Sequence, residues 1–197
     1  NLVIQSPTSF NRRFNVDVRN HSDVISVNPA TKRVVVRKGE ETYEETYDYL
    51  VLSPGSAPIR PPLPGIDHPR ILTLRNLPDM DRIKAAVDTQ EVKRAVVIGG
   101  GFIGLEMAEN LHNLGQSVTI VEMADQVMLN LDREIAAVVH HHIREQGVRL
   151  ILGDGVAGFQ DEGRITTVRL KSGTELHAGT IILAIGVRPA ATLARQA

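Results

Sequence analysis

Gly99, Gly101 and Gly104 stand in the spacing G-x-G-x-x-G. Alone, that spacing is weak evidence. Here it follows a continuous apolar run, Arg94-Ala95-Val96-Val97-Ile98, and opens an amphipathic stretch over 102–114. A second β-type run, Ser117-Val118-Thr119-Ile120-Val121, then ends at Glu122. Strand, glycine turn, helix, strand and terminal acid together form the context in which the motif binds a dinucleotide. Gly99 allows a tight turn out of the strand. Gly101, without a Cβ, lets the backbone approach a pyrophosphate, and Gly104 lets the helix lie close to the strand. The helix start then offers free N–H groups and about half a positive charge to the phosphates. Glu122 is placed to accept hydrogen bonds from a ribose diol. A 2′-phosphate would face its carboxylate, with Asp125 close by and the nearest downstream arginine, Arg133, on another element. NAD(H) is therefore expected in preference to its phosphorylated form. The alternatives are a glycine-rich turn that binds nothing and a Glu122 that is only a solvated strand end.

Other residues carry weaker signals. His140-His141-His142 suggests metal, but neighbouring helical residues point about 100° apart, so three in a row cannot share one ion. A solvated or partly packed helix face is expected, and no metal site is assigned. Glu106 is read in the first turn of the glycine-motif helix. Either it complements the helix N-terminus, or it reaches the nicotinamide end of a cofactor, and the residues alone leave both open. Cysteine is absent, which removes disulfides, thiolate metal sites and thiol nucleophiles. No catalytic residue is assigned. The formal net charge of −1 gives no footprint for nucleic acid, and no run of eighteen apolar residues offers a membrane span. The chain starts at Asn1 without an initiator Met or a signal peptide, so it reads as cut or processed from something longer. A cytoplasmic location is expected.

Elements must position these residues. Hydrophobic residues make up 42% of the 197, enough for a core. Phe14 to Val18 alternates as a half-buried strand does. Val24 to Val27 and Arg33 to Val36 flank Asn28-Pro29-Ala30-Thr31-Lys32 as a hairpin. Thr42 to Tyr47 reads as a further edge strand. Pro58, Pro61, Pro62 and Pro64 mark a crossover between domains. Asp79 to Val87 is helical, with Met80, Ile83 and Val87 on one face. In the 102–114 helix the core stripe is Ile103, Met107, Leu111 and Leu114, with Gly115 as its cap. Asp132 to Gln146 is a second amphipathic helix with Ile135, Val139 and Ile143 inward, closed by Gly147. Strands follow at Val148–Leu152, Gly155–Phe159, Ile165–Leu170 and near Leu176, and Thr180 to Ile185 is a final buried strand. The fold class is therefore α/β: a Rossmann-type parallel sheet in which a β-meander replaces the third crossover helix, preceded by a mostly β segment.

Three stretches resemble a known family. Tyr49-Leu-Val-Leu-Ser-Pro-Gly-Ser-Ala-Pro-Ile-Arg-Pro-Pro-Leu-Pro-Gly65 is similar to the handover from FAD domain to NAD domain in the flavoprotein pyridine nucleotide-disulfide oxidoreductases. Val97 to Glu106 resembles their NAD motif, and Ile182 to Pro189 resembles the strand closing their NAD domain. Leu105 to Leu111 and Val121 to Ala124 most resemble the coenzyme A-disulfide reductase and NADH oxidase branch. The resemblance implies a relay from NADH to FAD and on to a disulfide, persulfide or oxygen acceptor. It also implies a small-molecule substrate, a homodimeric full-length protein, and no nucleic acid or membrane partner. It divides the chain into 1–75, the tail of the first FAD segment; 76–190, the NAD(H) domain; and 191–197, the start of the return to FAD. The family's N-terminal FAD motif, its redox cysteine and its second FAD segment are not in this chain, so a central piece, inactive alone, is expected. By resemblance, Phe102 covers the nicotinamide slot and Gly186 lets the backbone approach the nicotinamide ribose. Ile103, Glu106 and Met123 join Gly99, Gly101, Gly104 and Glu122 toward NAD(H). Ser53, Pro54 and Gly55 lie toward the flavin, and Val24 toward its adenine. Two readings stay open beside this one: a flavin reductase passing electrons to an iron-sulfur or haem partner, and a non-catalytic NAD-binding module.

Overall fold

The computed structural model describes residues 4–197. The chain forms two compact units, Asn1–Gly55 with Pro189–Ala197, and Ser56–Arg188. The first begins with α1 (Pro7–Phe14), followed by β1 (Asp23–Asn28), β2 (Arg33–Lys38) and β3 (Glu41–Thr46). The strands form an antiparallel sheet in the order β1-β2-β3. The expected hairpin is present: Val27 faces Val34, and the Thr31 N–H donates to Asn28 Oδ1 at 3.1 Å across the turn. The strand expected over Phe14–Val18 is not. Ser6 caps a helix instead, accepting the Ser9 N–H at 3.2 Å, with Pro7 at the start where its missing N–H costs nothing. Asn15 ends that helix at φ 54°, and Val16 and Val18 are left exposed. A local cap outweighs a short alternation that has no neighbouring strand to pair with.

The second unit holds β4 (Ser56–Pro58), β5 (Ile71–Leu72), α2 (Leu77–Thr89), β6 (Arg94–Ile98), α3 (Phe102–Asn113), β7 (Ser117–Val121), α4 (Arg133–Glu145) and β8 (Arg149–Ile151). It continues with β9 (Val156–Asp161), β10 (Thr166–Leu170), β11 (Glu175–Ala178), β12 (Thr180–Leu183) and β13 (Val187–Pro189), after which α5 (Thr192–Gln196) belongs to the first unit. Five strands form a parallel sheet in the order β5-β12-β6-β7-β8. Both of its faces are covered, and strand alternation shows how. Ala95 and Val97 of β6, with Ile182 of β12, pack with Ile83, Val87, Ala108 and Leu111 on the helix side. Val96, Ile98, Ile181 and Leu183 pack with Val156, Phe159, Val168, Leu170 and Leu176 on the other. That second cover is the antiparallel meander β11-β10-β9, so the expected α/β architecture with its meander is present. Residues 56–75 belong to this unit: Ile66 and Ile71 sit in its core, and β5 is the edge of its sheet. The proline run hid β5, which is only two residues long.

The helices sit where the periodicity expects them, with part of each expected face buried and part exposed. On α3 the buried residues are Gly104, Ala108 and Leu111, while Ile103 and Leu114 are exposed. On α4 the buried residue is Ala136, and Ile135 is exposed. On α2, Ile83 and Val87 are buried but Met80 is not. On α3 and α4 the small residues Gly104, Ala108 and Ala136 join the buried face beside the expected Leu111, while on α2 the expected Ile83 and Val87 are the buried ones. The α2 start is set by a capping box, in which Asn76 Oδ1 accepts the Asp79 N–H and Asp79 accepts the Asn76 N–H. Among the described residues, no helix is long and apolar enough to cross a membrane.

Candidate functional site

At the carboxyl ends of β6, β7 and β12 lies a cavity of about 850 Å³. In open parallel sheets that position, outside the strand ends, is where ligands bind. Its floor is the glycine loop. Gly99 has φ 108°, a conformation that L side chains rarely adopt, and an added Cβ would collide with the Ala184 carbonyl oxygen. At Gly104 an added Cβ would collide with the Gly99 carbonyl oxygen, so helix and strand meet backbone to backbone. Gly101 differs: nothing lies within 4 Å of where its Cβ would be, and that space opens into the cavity. Gly99 and Gly104 thus meet backbone at close quarters, while Gly101 faces open space. Gly101 is also the N-cap of α3, and the helix start has no side-chain cap.

Phe102, Ile103, Met123, Leu129, Ile185 and Val187 line the cavity and are all exposed, Phe102 at 65% and Met123 at 69%. An apolar lining around a small polar loop is the usual make-up of a cofactor site. Gly186 lines it too, at φ 114°, and its carbonyl accepts the Ile59 N–H at 3.0 Å.

Glu122 lies at the rim, half-buried, and its carboxylate is already engaged. Oε2 accepts the Gly100 N–H at 2.7 Å and Oε1 accepts the Ala124 N–H at 2.8 Å. It therefore ties the glycine loop to the turn after β7. An ionised carboxylate offers about four acceptor positions, so capacity for a diol remains. The charge around it is less one-sided than the sequence implies. Asp125 is paired with Arg133 at the start of α4, and Lys171, brought in by the meander, lines the cavity beside Gly155. No local pattern announces Lys171, because it is the meander pairing that carries it there. Gly100, Asp154, Met128, Asn130, Pro61 and Leu63 also line the site unannounced.

Other expected residues fall elsewhere. Glu106 is exposed in the second turn of α3, since the helix begins at Phe102 and its first turn holds no acid. The pairing with the helix terminus is thereby corrected, and Glu106 is not among the residues lining the cavity. Val24 is on β1, and Ser53, Pro54 and Gly55 follow β3 on an exposed segment where Gly55 has φ 74°. Neither this cavity nor a smaller one of about 270 Å³ beside His68 and Phe159 is lined by them. Among the described residues no cluster suits a metal ion; His140 accepts a backbone N–H from Val127, and His141 approaches Glu145.

Comparison with known proteins points the same way. The reduced CoADR-RHD protein of Bacillus anthracis superposes with a TM-score of 0.91 at 46% identity, over 99% of this chain and 35% of that one. An NAD-dependent persulfide reductase from A. fulgidus gives 0.91 at 33% identity, over 98% of this chain and 36% of that one. A water-forming NADH oxidase from Lactobacillus brevis, bound to NADH, gives 0.87 at 32% identity, over 97% and 42%. The chain spans less than half the length of the curated relatives it matches. Residues 5–197 match one family across the length of the chain, and the protein belongs to the pyridine nucleotide-disulphide oxidoreductases.

Proposed function

We propose that the chain binds NAD(H) in the cavity over the glycine loop and serves as the nicotinamide-side part of a flavoprotein reductase. The observation that carries this is the open Cβ position of Gly101, set between two glycines whose own Cβ positions are blocked by backbone. A pyrophosphate fits above Gly101, against the N–H groups that begin α3. Phe102 and Gly186 would flank the nicotinamide end, with Ile103 beside them. Glu122 and Met123 would meet the adenosine ribose. Glu106 is proposed to approach the nicotinamide end of the bound cofactor. When bound, the dinucleotide supplies a hydride and FAD carries the electrons on to a small-molecule disulfide, persulfide or oxygen acceptor. This chain's share is to bind, to orient and to keep water from the reacting face.

In this reading the first unit is the tail of an FAD segment, with Ser53, Pro54 and Gly55 toward the flavin and Val24 toward its adenine. Residues 191–197 begin the return to that segment. The whole protein is read as a cytoplasmic homodimer.

Titration calorimetry tests the nucleotide assignment. NADH is expected to bind more tightly than NADPH, and Gly101→Val is expected to abolish binding while the far-UV spectrum and melting temperature hold, because its side chain enters the cavity and no packed atom. Unchanged NADH affinity in a folded Gly101→Val protein overturns the assignment.

A further inference from the structure

Behind the glycine loop lies a second set of contacts. Val127 is fully buried, and its Cγ1 lies 2.8 Å from where Gly100 would carry a Cβ. The Met128 N–H donates to the Gly100 carbonyl at 2.9 Å, and Met128 itself is held at φ 51°, a costly conformation for a side chain of its size. Gln126 donates to the Leu131 carbonyl at 2.9 Å and closes the segment. The next three residues, Met128, Leu129 and Asn130, line the cavity. One strained loop therefore touches the phosphate-facing turn on one side and forms a wall of the site on the other.

What holds this loop from behind is a side chain of α4. The Val127 N–H donates to His140 Nε2 at 3.0 Å. We infer that His140 is a positioning residue for the dinucleotide cavity: by accepting the Val127 N–H it fixes the 127–130 wall and, through Met128, the Gly100 carbonyl. The inference rests on the nucleotide reading above. Only a ring with Nε2 unprotonated can accept, because both nitrogens of an imidazolium are donors. Burial, reinforced by the positive charge of Arg144, lowers the pKa of His140 below the ordinary histidine value of 6.5, which keeps the acceptor available at neutral pH. Charges on the neighbouring segments do not oppose this. Glu122 is held by Gly100 and Ala124, Asp125 by Arg133, and His141 lies against Glu145, while β8 contributes the exposed cation Arg149. Among the described residues no carboxylate pairs with His140. Without the acceptor, the buried Val127 N–H loses its partner, and the strain at Met128 has one fewer restraint.

Two variants of the full chain separate positioning from packing. His140→Leu keeps bulk and removes the acceptor, and His140→Gln restores an acceptor at similar reach. Amide hydrogen exchange without nucleotide should show Val127 and Met128 exchanging about three- to tenfold faster in His140→Leu, with the β6 amides unchanged as the control for folding. NADH affinity by calorimetry should fall by about three- to tenfold in His140→Leu and return to within about twofold in His140→Gln. Wild-type affinity should also drop on acidification below the ordinary histidine value of 6.5, once the ring takes up its proton, and the drop should be absent in His140→Gln. Wild-type exchange at Val127 and Met128 in a folded His140→Leu protein overturns the inference. So does a loosened wall with undiminished NADH affinity. If the wild type binds no NADH, it is the nucleotide reading that fails, and the exchange comparison still decides whether His140 holds the wall.

Discussion

Glu122 fastens the glycine loop to the turn after β7, and the proposed ribose contact would make it a selector as well. Its two bonds to backbone N–H groups, at Gly100 and Ala124, mean that removing the carboxylate disturbs the loop as well as any ribose contact. Hydrogen bonds to a charged group contribute about 1.5–3 kcal/mol, so Glu122→Ala should weaken NADH binding roughly 10- to 100-fold. NADPH shares the cost of the loosened loop but is relieved of the repulsion of its 2′-phosphate while Lys171 stays at the rim, so the preference for NADH should narrow. Both affinities are to be measured at one ionic strength, since salt screens phosphate interactions. Equal loss of both cofactors would make Glu122 a fastener alone. The glycines were legible in the sequence because each spacing encodes a backbone constraint, and those constraints appear at Gly99 and Gly104. Lys171 and the bond from Val127 to His140 were not. The first depends on how a meander pairs, the second on which way a helix is turned, and neither leaves a local pattern.

The make-up of the buried helix faces is the main difference at the scale of elements. Periodicity located α3 and α4 to within a residue or two and placed Leu111, Met107 and Ile143 against the core, yet it also assigned Ile103, Leu114 and Ile135 there, where the structure puts Gly104, Ala108 and Ala136. A hydrophobic stripe is read from large apolar residues, and close packing against a sheet selects small ones. The consequence is measurable on α3. Leu111→Ala should cost about 2–5 kcal/mol in urea unfolding, since Leu111 is 1% exposed. Leu114→Ala should fall within about 0.5 kcal/mol of wild type, since Leu114 is 57% exposed. Similar losses at both positions would restore the stripe read from the sequence. The error at α1 has another origin: Ser6 and Pro7 were a legible helix start, but the alternation after Phe14 drew the reading toward a strand.

At the scale of the whole molecule, sequence and structure agree on a parallel sheet with a meander in place of one crossover helix, and the structure adds that helices cover one face and the meander the other. They part at the boundary, because residues 56–75 carry Ile66 and Ile71 into the core of the second unit. The chain has no cysteine, so it holds no thiol with which to exchange with a disulfide. Supplied with NADH, FAD and a small-molecule disulfide, the purified chain should show no disulfide-dependent loss of absorbance at the NADH band. Sustained consumption would mean that a route other than thiol chemistry operates here. The convergence of Gly99, Gly104 and the Ala184 carbonyl has a practical consequence for anyone mapping this site. Substitution to alanine ordinarily takes atoms away and reports what is lost, but at a glycine it adds a methyl group. At Gly99 and Gly104 that methyl meets a backbone oxygen, so the scan that trims side chains elsewhere tests the base of the cavity by intrusion. A loss recorded there measures a want of room and not a missing contact.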